Sequence, residues 1–413
     1  SSSETHTIRL STKLNNIFVD LGSAPPSNFY LTEETMRSAE KWYPLKVLFC
    51  DYCWLVQTED FIGASDMFLD DYAYFSSFST TWLAHAKKYV DNVITRLELN
   101  DKSMVVEIAA NDGYLLQYMK NNSIPCYGIE PTHSTAEKAK EKGIEIIEEF
   151  FSANLAGNLS NNNQQADLII ANNVLGHVPN INDFIQGIKI LLKSSGVATF
   201  EFPHLFNLVD KNQFDTIYHE HYSYISLISI LSIFKSNDLV VFDVEEIQTH
   251  GGSLRVYAQS SEKGGHAVTN NVKLLIEKEI LAGIRSKKYY QGFQEKVEKA
   301  KEDFLFFLLK LKLGGAKVVA YGAAAKGNTM LNFSGVKPDL LPYVIDKNPS
   351  KQGKYMPGSR IPIVSENKLV SYKPDYVVIL PWNLKEEIMD QLNYIKDWGG
   401  VFVTAIPKLK IYK

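Results

Sequence analysis

The chain is predicted to be a three-part α/β protein. It has a central Rossmann-like sheet, a smaller C-terminal Rossmann-like domain and a small loop-rich N-terminal module. Three observations carry this. Strand and helix signals alternate from about residue 90 to 262, and the same alternation restarts near residue 317. No sustained periodicity precedes residue 90. A length of 413 residues also exceeds one ordinary domain. The expected division is 1–90, 91–262 and 263–413.

In the first part, turn signals at Gly22 to Ser27 precede a short Cys50-x-x-Cys53 and the aromatic cluster Tyr72 to Phe75. The second part opens with Met104 to Ala110, an apolar, β-branched run of buried-strand type, followed by Asn111-Asp112-Gly113 and a helix. A second strand ends at Glu130. Ser134 and Glu137 then match a capping box, and Gly143 sits where a helix C′ residue belongs. Asp167 to Asn172 and Val197 to Phe202 are further strands. Leu239 to Val244 and Ser253 to Ala258 have no helix between them, so they are predicted to pair antiparallel. The third part begins with charged helices over roughly 270 to 312. Strands then follow at Lys317 to Gly322, Tyr343 to Asp346, Tyr376 to Leu380 and Val401 to Ile406, with a helix from about Leu384 to Trp398.

Composition excludes several function classes. A net charge of -4 lacks the basic footprint of a nucleic-acid binder. No apolar run approaches the ~20 residues of a spanning helix, and no secretory signal is visible, so no membrane partner is expected. Three cysteines without a framework point to a reducing compartment, the cytoplasm by default. The chain is read as a monomer.

The strongest local signal is the strand–turn–helix around Glu107, Asn111, Asp112 and Gly113. A glycine after a parallel strand lets the backbone turn tightly against a ligand. The carboxylates of Glu107 and Asp112 suit an ammonium and a sulfonium better than a pyrophosphate, and the G-x-G-x-x-G of a dinucleotide site is absent here. Glu130 is placed for ribose hydroxyls, and Asn172 with Asn173 would flank the same crevice. Singly, each is as readily a turn or surface residue. Together, on consecutive strand ends, they favour S-adenosylmethionine.

Two histidine-bearing segments suggest the chemistry. One runs from Asn172 to Pro179 and contains His177; the other is Tyr218-His219-Glu220-His221, with Asp215 just before it. Removing a proton from carbon requires a base with a pKa near working pH, and the resulting enolate requires hydrogen-bond donors. His-x-His lacks a third metal ligand at a recognisable spacing. Alternation along an extended segment would turn Glu220 away from His219 and His221. His177 is a candidate donor to the enolate oxygen. In the C-terminal part, Lys326, Gly327 and Asn328 fall at a helix start after a strand, which suits a diphosphate.

These residues, together with Phe18 to Gly22, Tyr43-Pro44-Leu45, Tyr72-x-Tyr74, His250 to Val256, Tyr321 to Asn328 and Pro381-Trp382-Asn383, resemble the bacterial sugar C-methyltransferases acting on dTDP-linked ketosugars in deoxysugar biosynthesis. The resemblance spans essentially the whole chain. It implies a central sheet of methyltransferase type and a nucleotide-linked ketosugar bound between the central and C-terminal domains. It also implies His221 as the base, with Tyr72, His177, Tyr218 and Glu220 around the sugar. Tyr74, Arg255, Lys326, Gly327 and Asn328 would contact substrate. The carbanion would then attack the sulfonium methyl.

The resemblance also implies a four-cysteine zinc site. Only Cys50 and Cys53 are present, and the region of the first pair reads Thr-Ile-Arg-Leu-Ser, so a full zinc centre is not expected. Two rival readings remain at this stage. One is an NAD-dependent sugar-nucleotide oxidoreductase or epimerase; the other is a non-catalytic sugar-nucleotide-binding homologue.

Overall fold

The computed structural model describes residues 6–7, 12–61 and 76–413, and Tyr72 and Tyr74 lie outside these. The N-terminal part, expected to be irregular, holds an antiparallel sheet in the order Ser223–Tyr224, Val56–Thr58, Tyr43–Phe49, Asn16–Ala24. Its longest strand escapes period-two reading because its register shifts between Ile17 and Val19 and again between Asp20 and Ser23. Phe18 and Val19 are therefore buried side by side. The fourth strand is donated by the segment directly behind His221, far along the chain.

The central sheet runs Leu239–Ile247, Ser253–Ser260, Leu192–Pro203, Ala166–Asn172, Val105–Ile108, Cys126–Ile129, Glu145–Ile147. Its last five members pair parallel and the first two antiparallel, as the missing helix between them predicts. Val105 and Val106 are fully buried, consistent with a strand covered on both faces. The helix Thr80–Arg96 covers one face through Ala86, Tyr89, Val90 and Val93, a three-to-four spacing, and Ser79 caps its start by accepting the Trp82 N–H. The capping box expected at Ser134 and Glu137 does not form. The helix His133–Glu141 starts two residues earlier, with Thr132 in the capping position, and the Thr132 N–H donates to Glu130 Oε1 at 2.9 Å.

The C-terminal sheet runs Ile363–Val364, Val344–Ile345, Val318–Tyr321, Tyr376–Ile379, Val401–Thr404, Lys410–Tyr412, parallel except for the last strand. The single helix expected over 384–398 is instead the helix Lys385–Gln391 followed by a 3-10 turn, Asn393–Trp398, closed by Gly399 at φ 83°.

The N-terminal sheet shares its core with the C-terminal helices. Phe18 stacks on Phe293 at 4.5 Å, and Tyr290 stacks on Phe49 at 4.4 Å and on Trp54 at 5.9 Å. Leu21 and Leu45 join the same cluster. Removing the buried Tyr290 ring should therefore loosen both ends of the chain at once. Tyr290→Ala is expected to lower stability in urea unfolding by roughly 3–5 kcal/mol. Tyr290→Phe, which keeps the stack but loses the hydroxyl bond to the Ile284 carbonyl, should cost only about 1 kcal/mol.

Candidate active site

The strand Val105–Ile108 ends in a backbone that takes left-handed values at Ala109, Asn111 and Gly113. A Cβ at position 113 would overlap Ile144 and crowd Ala139, so only glycine lets the helix His133–Glu141 lie this close. Glu130, at the end of the neighbouring strand, fastens the turn: its two oxygens accept N–H bonds from Asn111 at 3.0 Å and Thr132 at 2.9 Å. Asn111 and Asp112 in turn accept the backbone N–H groups of Ser76 and Ser77, at 2.9 and 3.2 Å. Lys142 bonds the Asp112 carbonyl and the Ser77 hydroxyl. Ser76, Ser77 and Lys142 were not flagged by the sequence, since nothing local marks residues that meet only in the fold.

Around this turn lie buried polar atoms without partners among the described residues: Glu107 Oε2, Asp112 Oδ1, Asn172 Oδ1 and both amide atoms of Asn173. Each such atom costs about 1–3 kcal/mol unless a ligand satisfies it. Glu107 is 1% exposed, and burial holds its carboxyl well above the usual range, with Glu130, Asp112 and Glu201 adding to the effect. A set of converging carboxyls beside amide groups fits a ligand bearing an ammonium, a sulfonium and ribose hydroxyls. S-adenosylmethionine matches that donor set.

Residues 218–221 form a turn closed by the His221 N–H to the Tyr218 carbonyl at 2.9 Å. The strand-like alternation expected there is therefore wrong. His219 reaches toward the N-terminal sheet and bonds the Pro44 carbonyl at 3.1 Å. Glu220 accepts from Asn28 at 3.2 Å, and burial pushes its carboxyl up to about 7. His221 faces the other way, 4.0 Å from the Tyr218 ring and 4.6 Å from the His177 ring, centroid to centroid.

The two facing imidazoles have defined tautomers. His221 Nδ1 lies 2.7 Å from the Thr216 carbonyl and His177 Nδ1 lies 2.8 Å from the Glu220 carbonyl. A carbonyl only accepts, so each Nδ1 carries the hydrogen and each Nε2 presents a lone pair. Burial depresses both groups, His177 to about 4 and His221 well below 6.5. Both rings are thus neutral acceptors at neutral pH. The expectation that His177 donates to an enolate oxygen is corrected accordingly: its one N–H is already committed.

On the C-terminal side, Lys326 lies in the first turn of the helix Ala325–Phe333, half-buried rather than solvated. Its ammonium donates to Asn383 at 3.0 Å and sits 4.7 Å over the Trp382 ring. The Trp382 indole donates to Asp215 at 2.7 Å, and burial raises that carboxyl to about 7. Gly327 packs against Leu380, where a Cβ would overlap it. Asn328 is 1% exposed, and its amide atoms have no partner among the described residues. Arg255 does not join this group. Its guanidinium is engaged by Glu201 at 2.7 Å and Glu245 at 2.9 Å on adjacent strands, so its role as a substrate contact is replaced by that of a buried sheet anchor.

The zinc site implied by the resemblance does not fit the ligands present. Cys50 and Cys53 are buried beside each other, and Cys50 Sγ accepts the N–H groups of Tyr52 and Cys53. Among the described residues no third His, Cys, Asp or Glu completes a set with them, and Cys126 lies on a central strand. Elemental analysis is expected to give well under one zinc per chain; a tightly held stoichiometric zinc would overturn this. Asp112→Ala and Glu130→Ala are each expected to weaken S-adenosylmethionine binding by roughly 1–3 kcal/mol in calorimetry. Unchanged affinity in both would misplace the crevice.

The chain is similar to known methyltransferases over most of its length. Family models match over residues 82–244 (methyltransferase domain), 248–407 (C-methyltransferase C-terminal domain) and 11–68 (zinc binding domain). The C-methyltransferase NovU of Streptomyces niveus is 32% identical over 393 residues, covering 95% of this chain and 93% of NovU. Among solved structures, magnesium protoporphyrin IX methyltransferase from Synechocystis PCC 6803 overlaps 44% of this chain and 82% of its own, at 16% identity and a TM-score of 0.34. An S-adenosylmethionine-dependent methyltransferase from Clostridium acetobutylicum overlaps 44% and 92%, at 12% identity and a TM-score of 0.36. With nearly its full length aligned to NovU and two methyltransferase models in register, the chain belongs to the S-adenosylmethionine-dependent C-methyltransferases.

Proposed function

We propose that the substrate is a nucleotide-linked ketosugar, dTDP being the expected nucleotide, methylated on the carbon next to its keto group. The observation that carries this reading is the Nε2 lone pair of His221, fixed by the Nδ1 bond to the Thr216 carbonyl. A ketone acidifies the adjacent C–H, and a neutral imidazole with a defined lone pair is the base such a proton requires. Burial keeps that lone pair unprotonated at neutral pH.

Glu107, Asp112, Glu130, Asn172 and Asn173 would hold S-adenosylmethionine, which supplies an electrophilic methyl group when bound. His221 removes the proton, Tyr218 lines the same space, and Glu220 fixes His177 through its backbone carbonyl. Lys326, with Asn328 behind it, carries the positive charge suited to a diphosphate. Tyr72 and Tyr74 complete the expected set from outside the described residues. Support for the substrate class comes from the motif resemblance together with this pairing of a ketone-type base with Lys326 in the first turn of a C-terminal helix.

Incubation with labelled S-adenosylmethionine and a panel of nucleotide ketosugars, followed by mass, tests the assignment. His221→Asn should bind both ligands normally and lose turnover by ~10²–10⁴-fold. It should also lose exchange of the α-proton with deuterated solvent. Exchange at the wild-type rate would remove His221 from the role. Lys326→Ala should raise KM for the sugar nucleotide and leave cofactor affinity unchanged; equal loss of both would point to a structural role.

The pH dependence has a definite sign. Acid protonates His221 Nε2 and removes the base, and the group is depressed below 6.5, so the acid limb of kcat/KM should lie below pH 6.5. A limb near pH 7 that disappears in Glu220→Gln would belong to Glu220, whose carboxyl sits at about 7.

A further inference from the structure

The turn joining the two antiparallel strands of the central sheet contains a conformational oddity. His250, Gly251 and Gly252 are successive residues with positive φ, at 53°, 87° and 119°. Glycine takes such values at little cost, but a histidine there is uncommon. The turn is held from several sides. The Gly251 carbonyl accepts from Gln213 at 2.9 Å and from Lys211 at 3.3 Å, Ser253 Oγ donates to the Thr249 carbonyl at 2.9 Å, and the Gly252 carbonyl accepts the His204 N–H at 3.1 Å. A Cβ at Gly251 would overlap the Trp382 ring. Strain maintained by so many tethers at a ligand site is a common mark of a functional side chain.

What the strain achieves is the placement of the imidazole. The His250 ring lies 5.3 Å from Trp82, which is also 6.1 Å from the ring of Tyr114, the hydrogen-bond partner of Glu107 in the cofactor crevice. His250 is also within electrostatic reach of Lys326, Glu201, His85 and His177, and His221 feels it in turn. The ring therefore lies against Trp82 at the side of the cofactor crevice and within electrostatic reach of the proposed base. Unlike His177 and His221, it has no hydrogen-bond partner among the described residues, and it is half-buried. Its tautomer is left for a ligand to choose.

The paired imidazoles offer acceptors only, so the oxygen of the developing enolate needs a donor from elsewhere. We propose that His250 supplies it: the neutral ring contacts the substrate and donates an N–H to the keto oxygen as negative charge builds there. This rests on the ketosugar reading above. In the step, His221 Nε2 takes the α-proton and the C–H electron pair becomes the enolate π bond. The charge moves to oxygen, and His250 keeps its own proton throughout. Burial holds the ring near 4, so it meets the oxygen as imidazole rather than imidazolium.

The test uses the full chain and substitutions that tolerate left-handed backbone. His250→Gly and His250→Asn preserve the turn, whereas alanine would add strain. With a dTDP-linked ketosugar that the wild type methylates, His250→Gly should lose kcat by roughly 10²–10³-fold, the effect of one oxyanion donor. S-adenosylmethionine affinity and Tm should be unchanged, and added imidazole should restore part of kcat. Wild-type kcat in His250→Gly would overturn the proposal. So would a loss shared by kcat, cofactor affinity and Tm in both variants without imidazole rescue. A wild type that neither methylates nor exchanges the α-proton of any ketosugar would instead sink the substrate reading.

Discussion

The three larger sheets among the described residues belong to parts of the protein that all grip one short stretch of chain, residues 214–224. The N-terminal sheet takes Ser223–Tyr224 as an edge strand, and Thr58 bonds the carbonyls of both His221 and Tyr222. The central sheet contributes Gly176, whose carbonyl accepts the Tyr222 N–H at 2.8 Å. From the C-terminal domain, Thr329 donates to the Ile217 carbonyl at 2.8 Å and Trp382 donates to Asp215. A turn held from three directions keeps its rotamers, and a base that must meet one C–H needs that precision. Such a segment could not be built within the central sheet alone.

The Rossmann-like sheets were legible because their strands are buried on both faces and read as continuous apolar runs, as in Val105–Ile108 and Val318–Tyr321. The N-terminal sheet was not. Two register shifts scramble the alternation of Asn16–Ala24, and its edge partner lies some 165 residues further along, beyond any local window. Local rules also failed where a distant side chain did the job first: Glu130 satisfies the Thr132 N–H, so no capping box is needed.

The site shows the same division. The strand-end residues Glu107, Asp112, Glu130 and Asn172 could be ordered from sequence because the parallel topology dictates where such ends converge. The tautomers of His177 and His221 could not, since they follow from which carbonyl each ring meets. Arg255 shows the converse error: a charged residue inside a recognisable motif is held by Glu201 and Glu245, and serves the sheet.

The shared core of the N-terminal sheet and the C-terminal helices has a consequence for how the chain is made. Synthesis delivers Phe18 and Phe49 first, and Tyr290 and Phe293, which cover them, arrive more than two hundred residues later. The edge strand Ser223–Tyr224 is delayed almost as long. Throughout that interval the emerging N-terminal strands present an unpaired edge and uncovered aromatic rings, the combination that invites misassembly on a crowded ribosome. The N-terminal sheet is thus made long before the segments that stabilise it.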